Sequence, residues 1–94
     1  MTIEHKNSNA KGIFLAKDDE KIIGEMTYVW TDGNCFIIDH TEVNPEYQGK
    51  KVGQELVKSA VDYAREHHFT IIPLCPFADA IFDRHPDYKD VRKY

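Results

Sequence analysis

The sequence lacks most of the features that would assign it to a special class of chain. Two cysteines among 94 residues are too few for a disulfide framework, so Cys35 and Cys75 read as free thiols of a reducing compartment. No Cys/His set has zinc-ligand spacing, and His67-His68 is a doublet at a helix end, a poor ligand pair. No apolar run is long enough to cross a bilayer, and the first residues show no signal-peptide core. These features predict a cytoplasmic protein without a membrane partner. Cationic residues are in the minority: 12 Lys and Arg against 16 Asp and Glu give a net charge of −4, which argues against nucleic acid as a partner. Internal repeats, low-complexity tracts and linkers are also missing. What is present is the composition of one folded domain, 41 % hydrophobic and 12 % aromatic. A chain of this length buries roughly 60–65 % of its unfolded surface.

The apolar pattern changes period along the chain. Residues 3–10 are polar and read as a short lead-in, with an edge strand around Ile3 to His5. Gly12 to Lys17 reads as a strand, ended by the charged turn Asp18-Asp19-Glu20. From Ile22 to Trp30 the chain alternates, with Met26, Tyr28 and Trp30 on one face and Thr27, Val29 and Thr31 on the other. Asp32-Gly33 between two apolar runs signals a hairpin. Cys35 to Ile38 is apolar on both faces, as a central strand requires, and the run continues to Val43. Val52 to His68 then carries Val52, Leu56, Val57, Ala60, Val61 and Ala64 on one helical stripe. Phe69 to Leu74 is the next strand, and a right-handed crossover makes it parallel to Cys35–Val43. Cys75 takes the cap position and Pro76 the first position of a short helix to about Arg84, closed by Pro86. The expected fold class is α+β. Antiparallel hairpins lead into one parallel β-α-β crossover with two helices, in a single domain over residues 1–94 with its core at about 12–84.

The start of the long helix is unusual. A helix N-terminus leaves four N–H groups without partners, and Ser, Thr, Asp or Asn usually supplies an acceptor. None lies between Glu46 and Val52; the stretch reads Gln48-Gly49-Lys50-Lys51-Val52-Gly53. Two lysines at the positive end of the helix dipole cost about 0.3–1 kcal/mol each if nothing balances them. A bound anion balances them, and the glycines let phosphate oxygens reach the backbone. Solvated lysines beside water-satisfied amides are the plainer alternative.

The context of this stretch carries a resemblance. A strand followed by V-x-P-x-Y-Q-G-x-x-V-G and a helix, here from Val43 to Gly53, resembles the acetyl-CoA-binding core of the GNAT acetyltransferase superfamily. That family's phosphate loop reads Arg or Gln, two residues, Gly or Ala, one residue, Gly or Ala. Gln48 fills the first position and Gly53 the last, while Lys51 stands at the middle glycine. The resemblance covers about Gly12 to Arg84 and is closest to the short, minimal GNAT-like proteins. Two usual parts look absent: a pair of helices between the first two strands, and a strand hairpin after the last helix. The resemblance implies acetyl-CoA as cofactor. Its pantetheine arm would lie on the backbone of Thr41, Glu42 and Val43, and its pyrophosphate on Gln48, Gly49, Lys50, Lys51, Val52, Gly53 and Gln54.

The resemblance also implies an amine or exposed protein amine as acceptor, and transfer needs a base and an acid. His40 and Glu42 are the candidates for the base. They share a face if the strand is regular, with Asp39 and Thr41 on the other, unless a β-bulge swaps part of that assignment. Histidine as a residue type is intrinsically suited to proton transfer near neutrality, yet a histidine at a strand end is equally at home as a packed side chain. Asp39 and Glu42 read as orienting groups or as solvated charges. Tyr63, Tyr88, His67 and His68 read as surface or core-edge residues. Cys75, at a helix N-terminus, reads either as a reactive thiol that relays the acetyl group or as a buried one; Cys35 reads as packed. Three classes remain open: an N-acetyltransferase, an acyl-CoA-binding module with little or no turnover, and an adaptor that lost the ligand. A monomer or weak homodimer is expected.

Overall fold

Alternating residues in the first half of the chain build four antiparallel strands, and a change to helical period at Val52 adds a crossover and a fifth. The computed structural model describes residues 1–94. The strands are β1 (Thr2–Asn7), β2 (Lys11–Asp18), β3 (Lys21–Asp32), β4 (Cys35–Val43) and β5 (Thr70–Pro73), and the helices α1 (Val52–His67) and α2 (Pro76–Arg84). One-turn 3-10 helices cover Pro45–Tyr47 and Pro86–Asp90. The sheet runs β1-β2-β3-β4-β5, with only β4 and β5 parallel. The expected α+β mixed sheet is the observed one.

Strands β2 and β3 run one or two residues past the reading of the sequence at their ends, and three further boundaries differ from it. The polar lead-in is a complete edge strand: all of Thr2 to Asn7 pairs with β2. Its hydrophilic sequence conceals this, because only its inward residues pack. Ile3 lies against the core, and the ring of His5 stacks on Phe14 at 4.0 Å between centroids. Helix α1 ends at His67 because His68 turns left-handed (φ 61°) and its N–H bonds the carbonyl of Ala64. Strand β5 is shorter than Phe69–Leu74, since Phe69 packs into an aromatic group with Trp30 and Tyr63.

Both helices lie on one face of the sheet. The stripe Val52, Leu56, Val57, Ala60, Val61 and Ala64 packs against Phe14, Met26, Tyr28, Phe36 and Ile38, and Ala78, Ile81 and Phe82 of α2 close the same core. Burying each large aliphatic or aromatic side chain of this set contributes roughly 1.5–3 kcal/mol. Gly12 is needed for this packing, because a Cβ there would collide with the ring of Tyr28. The opposite face carries no helix, and Ile13, Leu15, Val29, Ile37 and Ile72 lie half-buried along it. The far edge of β5 is closed by the C-terminal segment, which bonds Ile71 N–H to Val91 O at 2.7 Å and Lys93 N–H to Ile71 O at 2.9 Å. Pro73 lacks an N–H and blunts the rest of that edge. No helix is long and apolar enough to cross a membrane.

His5 couples the edge strand to the core. Its Nε2 lies 2.6 Å from the Tyr28 hydroxyl, which donates to Asn7 Oδ1 at 3.1 Å. Burial, and then the charge of His67, push its pKa down. The folded chain therefore takes up this proton less readily than the unfolded chain, and stability must rise with pH through the window. The contribution is complete above the ordinary histidine value of about 6.5 and is lost as the pH falls below it. Urea denaturation at pH 7.5, 6.5 and 5.5 should show this fall. His5→Phe should flatten it while leaving the loss near pH 4, where Glu4 and Asp90 lose their pairing with Lys17 and Arg65.

Candidate functional site

The site begins where β4 and β5 separate. Their parallel pairing ends at Ile38↔Pro73, and the carbonyl of Ile38 takes the N–H groups of both Leu74 and Cys75, at 3.1 and 3.0 Å. From Asp39 to Val43, strand β4 pairs with β3 alone, so its other edge is open. A β-bulge lies at this point. Tyr28 pairs with Ile38 but Thr27 pairs with His40, which leaves Asp39 as the extra residue.

The bulge decides which way each candidate side chain faces. Thr41 and Val43 pair with Met26 and Gly24 and so face the helices; His40 and Glu42 pair with Thr27 and Glu25 and face the bare side. Asp39 joins them there, accepting from the Thr27 hydroxyl at 2.7 Å. The regular-strand assignment of Asp39 to the face of Thr41 is therefore corrected, because the extra residue shifts the alternation by one. His40 and Glu42 do share a face, with Nε2 and Oε1 3.4 Å apart and side chains 55 % and 69 % exposed.

The loop after β4 is anchored before it reaches the helix. Asn44 Oδ1 accepts the N–H of Glu46 at 3.0 Å. The Tyr47 hydroxyl donates to Asp18 at 2.9 Å, a bond to a carboxylate that pushes its pKa up. Gly49 then takes φ 83° and Lys51, the N-cap residue, φ 65° with ψ 21°; no side chain caps the helix. The backbone N–H groups of Lys51, Val52, Gly53 and Gln54 have no acceptor within the protein. A lysine in this conformation carries a Cβ penalty of about 1 kcal/mol or more that glycine avoids.

These parts enclose one cleft of about 620 Å³. Thr41, Glu42, Val43, Gln48, Gly49, Lys51, Val52, Gly53 and Gln54 line it, and Lys50 does not. Tyr47, Phe77 and Arg84 line it as well, and the reading of the sequence missed all three. Phe77 and Arg84 are seven residues apart on α2 and so share one face, two turns apart. An apolar Phe77 left 42 % exposed becomes visible as a wall residue only once α2 is set beside α1. Gly53 has a structural duty here, since a Cβ would strike the far end of the Phe77 ring. Lys51 and Arg84 make the cleft cationic against the single carboxylate of Glu42.

Cys75 stands just behind this wall, 6 % exposed, against 1 % for Cys35. Both thiols are free. Cys75 Sγ accepts the N–H of Ala78 at the start of α2 and donates to Thr41 Oγ1, both at 3.4 Å. The structure thus joins Cys75 to Thr41, while His40 bonds Glu42 on the other side of the strand.

Residues 13–91 match the family model described as GCN5-related N-acetyltransferase. The chain belongs to that family. The NMR structure of a GCN5-like protein from Staphylococcus aureus, described as a candidate N-acetyltransferase, superposes with a TM-score of 0.76 at 37 % identity, over 97 % of this chain and 86 % of that one. An aminoglycoside acetyltransferase from an uncultured soil metagenomic sample (TM-score 0.64, 20 % identity) is covered over 59 % of its length by 88 % of this chain. A ribosomal-protein-alanine N-acetyltransferase from Brucella melitensis (TM-score 0.62, 19 % identity) is covered over 64 % of its length by 93 % of this chain. At such identities the last two share the fold alone. No curated protein matches the sequence significantly. This GNAT domain is correspondingly compact: β1 and β2 are joined by residues 8–10, so no helix covers the far face of its sheet.

Lys51→Gly should separate stability from binding. Removing the left-handed Cβ and a cation at the positive end of α1 should stabilise the free protein by about 1 kcal/mol. The same change should weaken binding of anionic ligands in the cleft several-fold at low salt. Urea denaturation and calorimetric titration with coenzyme A measure the two effects.

Proposed function

We propose that this GNAT protein transfers the acetyl group of acetyl-CoA to a primary amine and binds the coenzyme in the cleft between β4, the 48–54 loop and α2. The observation that supports this is the convergence in one cleft of an open strand edge, unpaired helix amides and two cations. GNAT acetyltransferases use acetyl-CoA as co-substrate, and the residues present suit it. The amides of Lys51 to Gln54, Gly49 and the cations of Lys51 and Arg84 suit the pyrophosphate. The backbone of Thr41, Glu42 and Val43 offers its free edge to the amides of the pantetheine arm, and Phe77 offers apolar contact. Acetyl-CoA supplies an activated thioester.

His40, supported by Glu42, takes a proton from the incoming ammonium on the bare side of β4. The amine nitrogen then bonds the acetyl carbon, the carbon–sulfur bond to coenzyme A breaks, and the amine's remaining excess proton goes to the departing thiolate. In the cysteine route Cys75 Sγ first bonds the acetyl carbon, and its proton leaves with the coenzyme A thiol. The amine then takes the acetyl group and Cys75 regains a proton. The support for this route is that Sγ accepts an N–H at the start of α2 and lies 3.4 Å from Thr41 Oγ1 of the cleft wall, although Cys75 stands behind that wall. The bare far face favours a second reading, an acyl-CoA-binding module with little or no turnover. Release of coenzyme A thiol with a panel of amines distinguishes the two.

Acetyl-CoA at 100 times its dissociation constant should stabilise the fold by about 2.7 kcal/mol. Gly53→Glu, which places bulk and negative charge in the cleft, should abolish that shift while keeping a folded circular-dichroism spectrum. No thermal shift of the unmutated protein at millimolar acetyl-CoA would remove the coenzyme assignment.

The cysteine route has its own readout. Intact-mass and peptide analysis after incubation with acetyl-CoA should find one acetyl group on Cys75 and none on Cys35, and acetyl-CoA should slow alkylation of Cys75. Full turnover by Cys75→Ala would leave direct transfer as the mechanism.

A further inference from the structure

The bare face of the sheet holds a trough of about 490 Å³, separate from the coenzyme cleft. Lys6 and Lys11 stand along one side, Ile13 and Val29 form the floor, and Thr27 and Asp39 close the other end. Register fixes their relation: Lys6, Ile13, Thr27 and His40 are partners in one row across β1, β2, β3 and β4. Lys11 pairs with Val29, two residues along β3 from Thr27. Strands about 4.8 Å apart put the backbone of Lys6 roughly 14 Å from that of His40.

The two ends differ in charge. Neither Lys6 nor Lys11 has a carboxylate partner, although the neighbouring Lys17 is paired with Glu4 at 2.8 Å. At the other end the bulge turns both Asp39 and His40 to this face. Asp39 spends one oxygen on Thr27 and presents a negative charge beside the imidazole. The half-buried floor between the ends is apolar. Beside His40 the sheet is open toward the cleft, because β5 has left β4 at Ile38.

We propose that the acceptor occupies this trough, and that the acceptor is a primary amine carrying an anionic group at the far end of a short apolar chain. The statement rests on the acetyl-transfer reading above and adds to it a substrate class. The ammonium meets Asp39 and gives its proton to His40, the chain lies on Ile13 and Val29, and the anion meets Lys6 and Lys11. Allowing for the side chains at both ends, amine and anion stand roughly 8–10 Å apart.

Probes of equal length and different tails test this. 8-Aminooctanoate and 6-aminohexyl phosphate should each perturb the amides of Lys6, Lys11, Ile13, Thr27 and Asp39 saturably in 1H–15N titrations of the full chain. 1,8-Diaminooctane and octylamine should bind about tenfold more weakly or worse, and kcat/KM with acetyl-CoA should follow the same order. Lys6→Glu/Lys11→Glu should reverse the order in favour of the diamine, and Lys6→Gln/Lys11→Gln should level it, with the acetyl-CoA thermal shift retained in both. Equal affinity for all tails, perturbations elsewhere, or an unchanged order in the double Glu variant would overturn the proposal. Loss of the coenzyme reading shows differently, as no acetyl-CoA thermal shift. Trough binding in that case would overturn the acceptor role.

Discussion

The carbonyl of Ile38 is the last atom that holds β4 and β5 together, and the arrangement of the site depends on it. It takes two N–H groups, from Leu74 and Cys75, and after them Pro76 turns the chain into α2. Strand β4 continues for five more residues, 39–43, with one edge unpaired. An unpaired strand edge in the middle of a sheet leaves backbone donors and acceptors without partners, which costs free energy unless water or a ligand satisfies them. The chain tolerates that cost where the cleft lies. The bulge at the same point sends Asp39, His40 and Glu42 to one face and Thr41 and Val43 to the other. A single extra residue thus turns the side chains of Asp39 and His40 away from the cleft, leaves Glu42 at its border, and places Cys75 on the side of Thr41.

The cleft shows a second local conflict. Helix α1 begins without a side-chain cap, with a left-handed lysine as its N-cap and another lysine just before it. Each choice is unfavourable for an isolated helix. The helix forms regardless because its stripe from Val52 to Ala64 is fully buried, and tertiary packing outweighs a kilocalorie or two at one end. Local rules that fail together at one place are the pattern expected of a functional or strained site. Here the failure gives the cleft its amides and its charge.

The one-sided build of the domain follows from its length. With residues 8–10 and 19–20 as the only links among the first three strands, both helices fall on the same face, and the core is a single layer under them. The aromatic set around Tyr28 compensates for this: Phe14, Trp30 and Phe36 pack on its ring, and His5 and Asn7 meet its hydroxyl. This knits the polar edge strand to the core. The other face keeps a half-apolar surface and its own charge pattern.

Much of this was legible in the sequence. The alternation from Ile22 to Trp30, Asp32-Gly33, the stripe of α1, and Pro76 after Cys75 fix strands, hairpin and helices, because each rests on local chemistry at a known period. The stretch from Gln48 to Gly53 announced the cleft for the same reason: a missing cap is visible in the chain itself. β1 was only partly legible, since an edge strand needs few apolar residues and its pairing is made by β2. The sequence leaves the bulge as one of two alternatives, because register belongs to the pair Thr27–His40 and not to either strand. Phe77, Arg84 and Tyr47 became wall residues only when α2 and the 3-10 turn were set beside α1. Local periodicity and capping chemistry determined the elements and the start of the cleft; which side chains meet across it was decided by contacts between segments far apart in the chain, which only the folded backbone brings together.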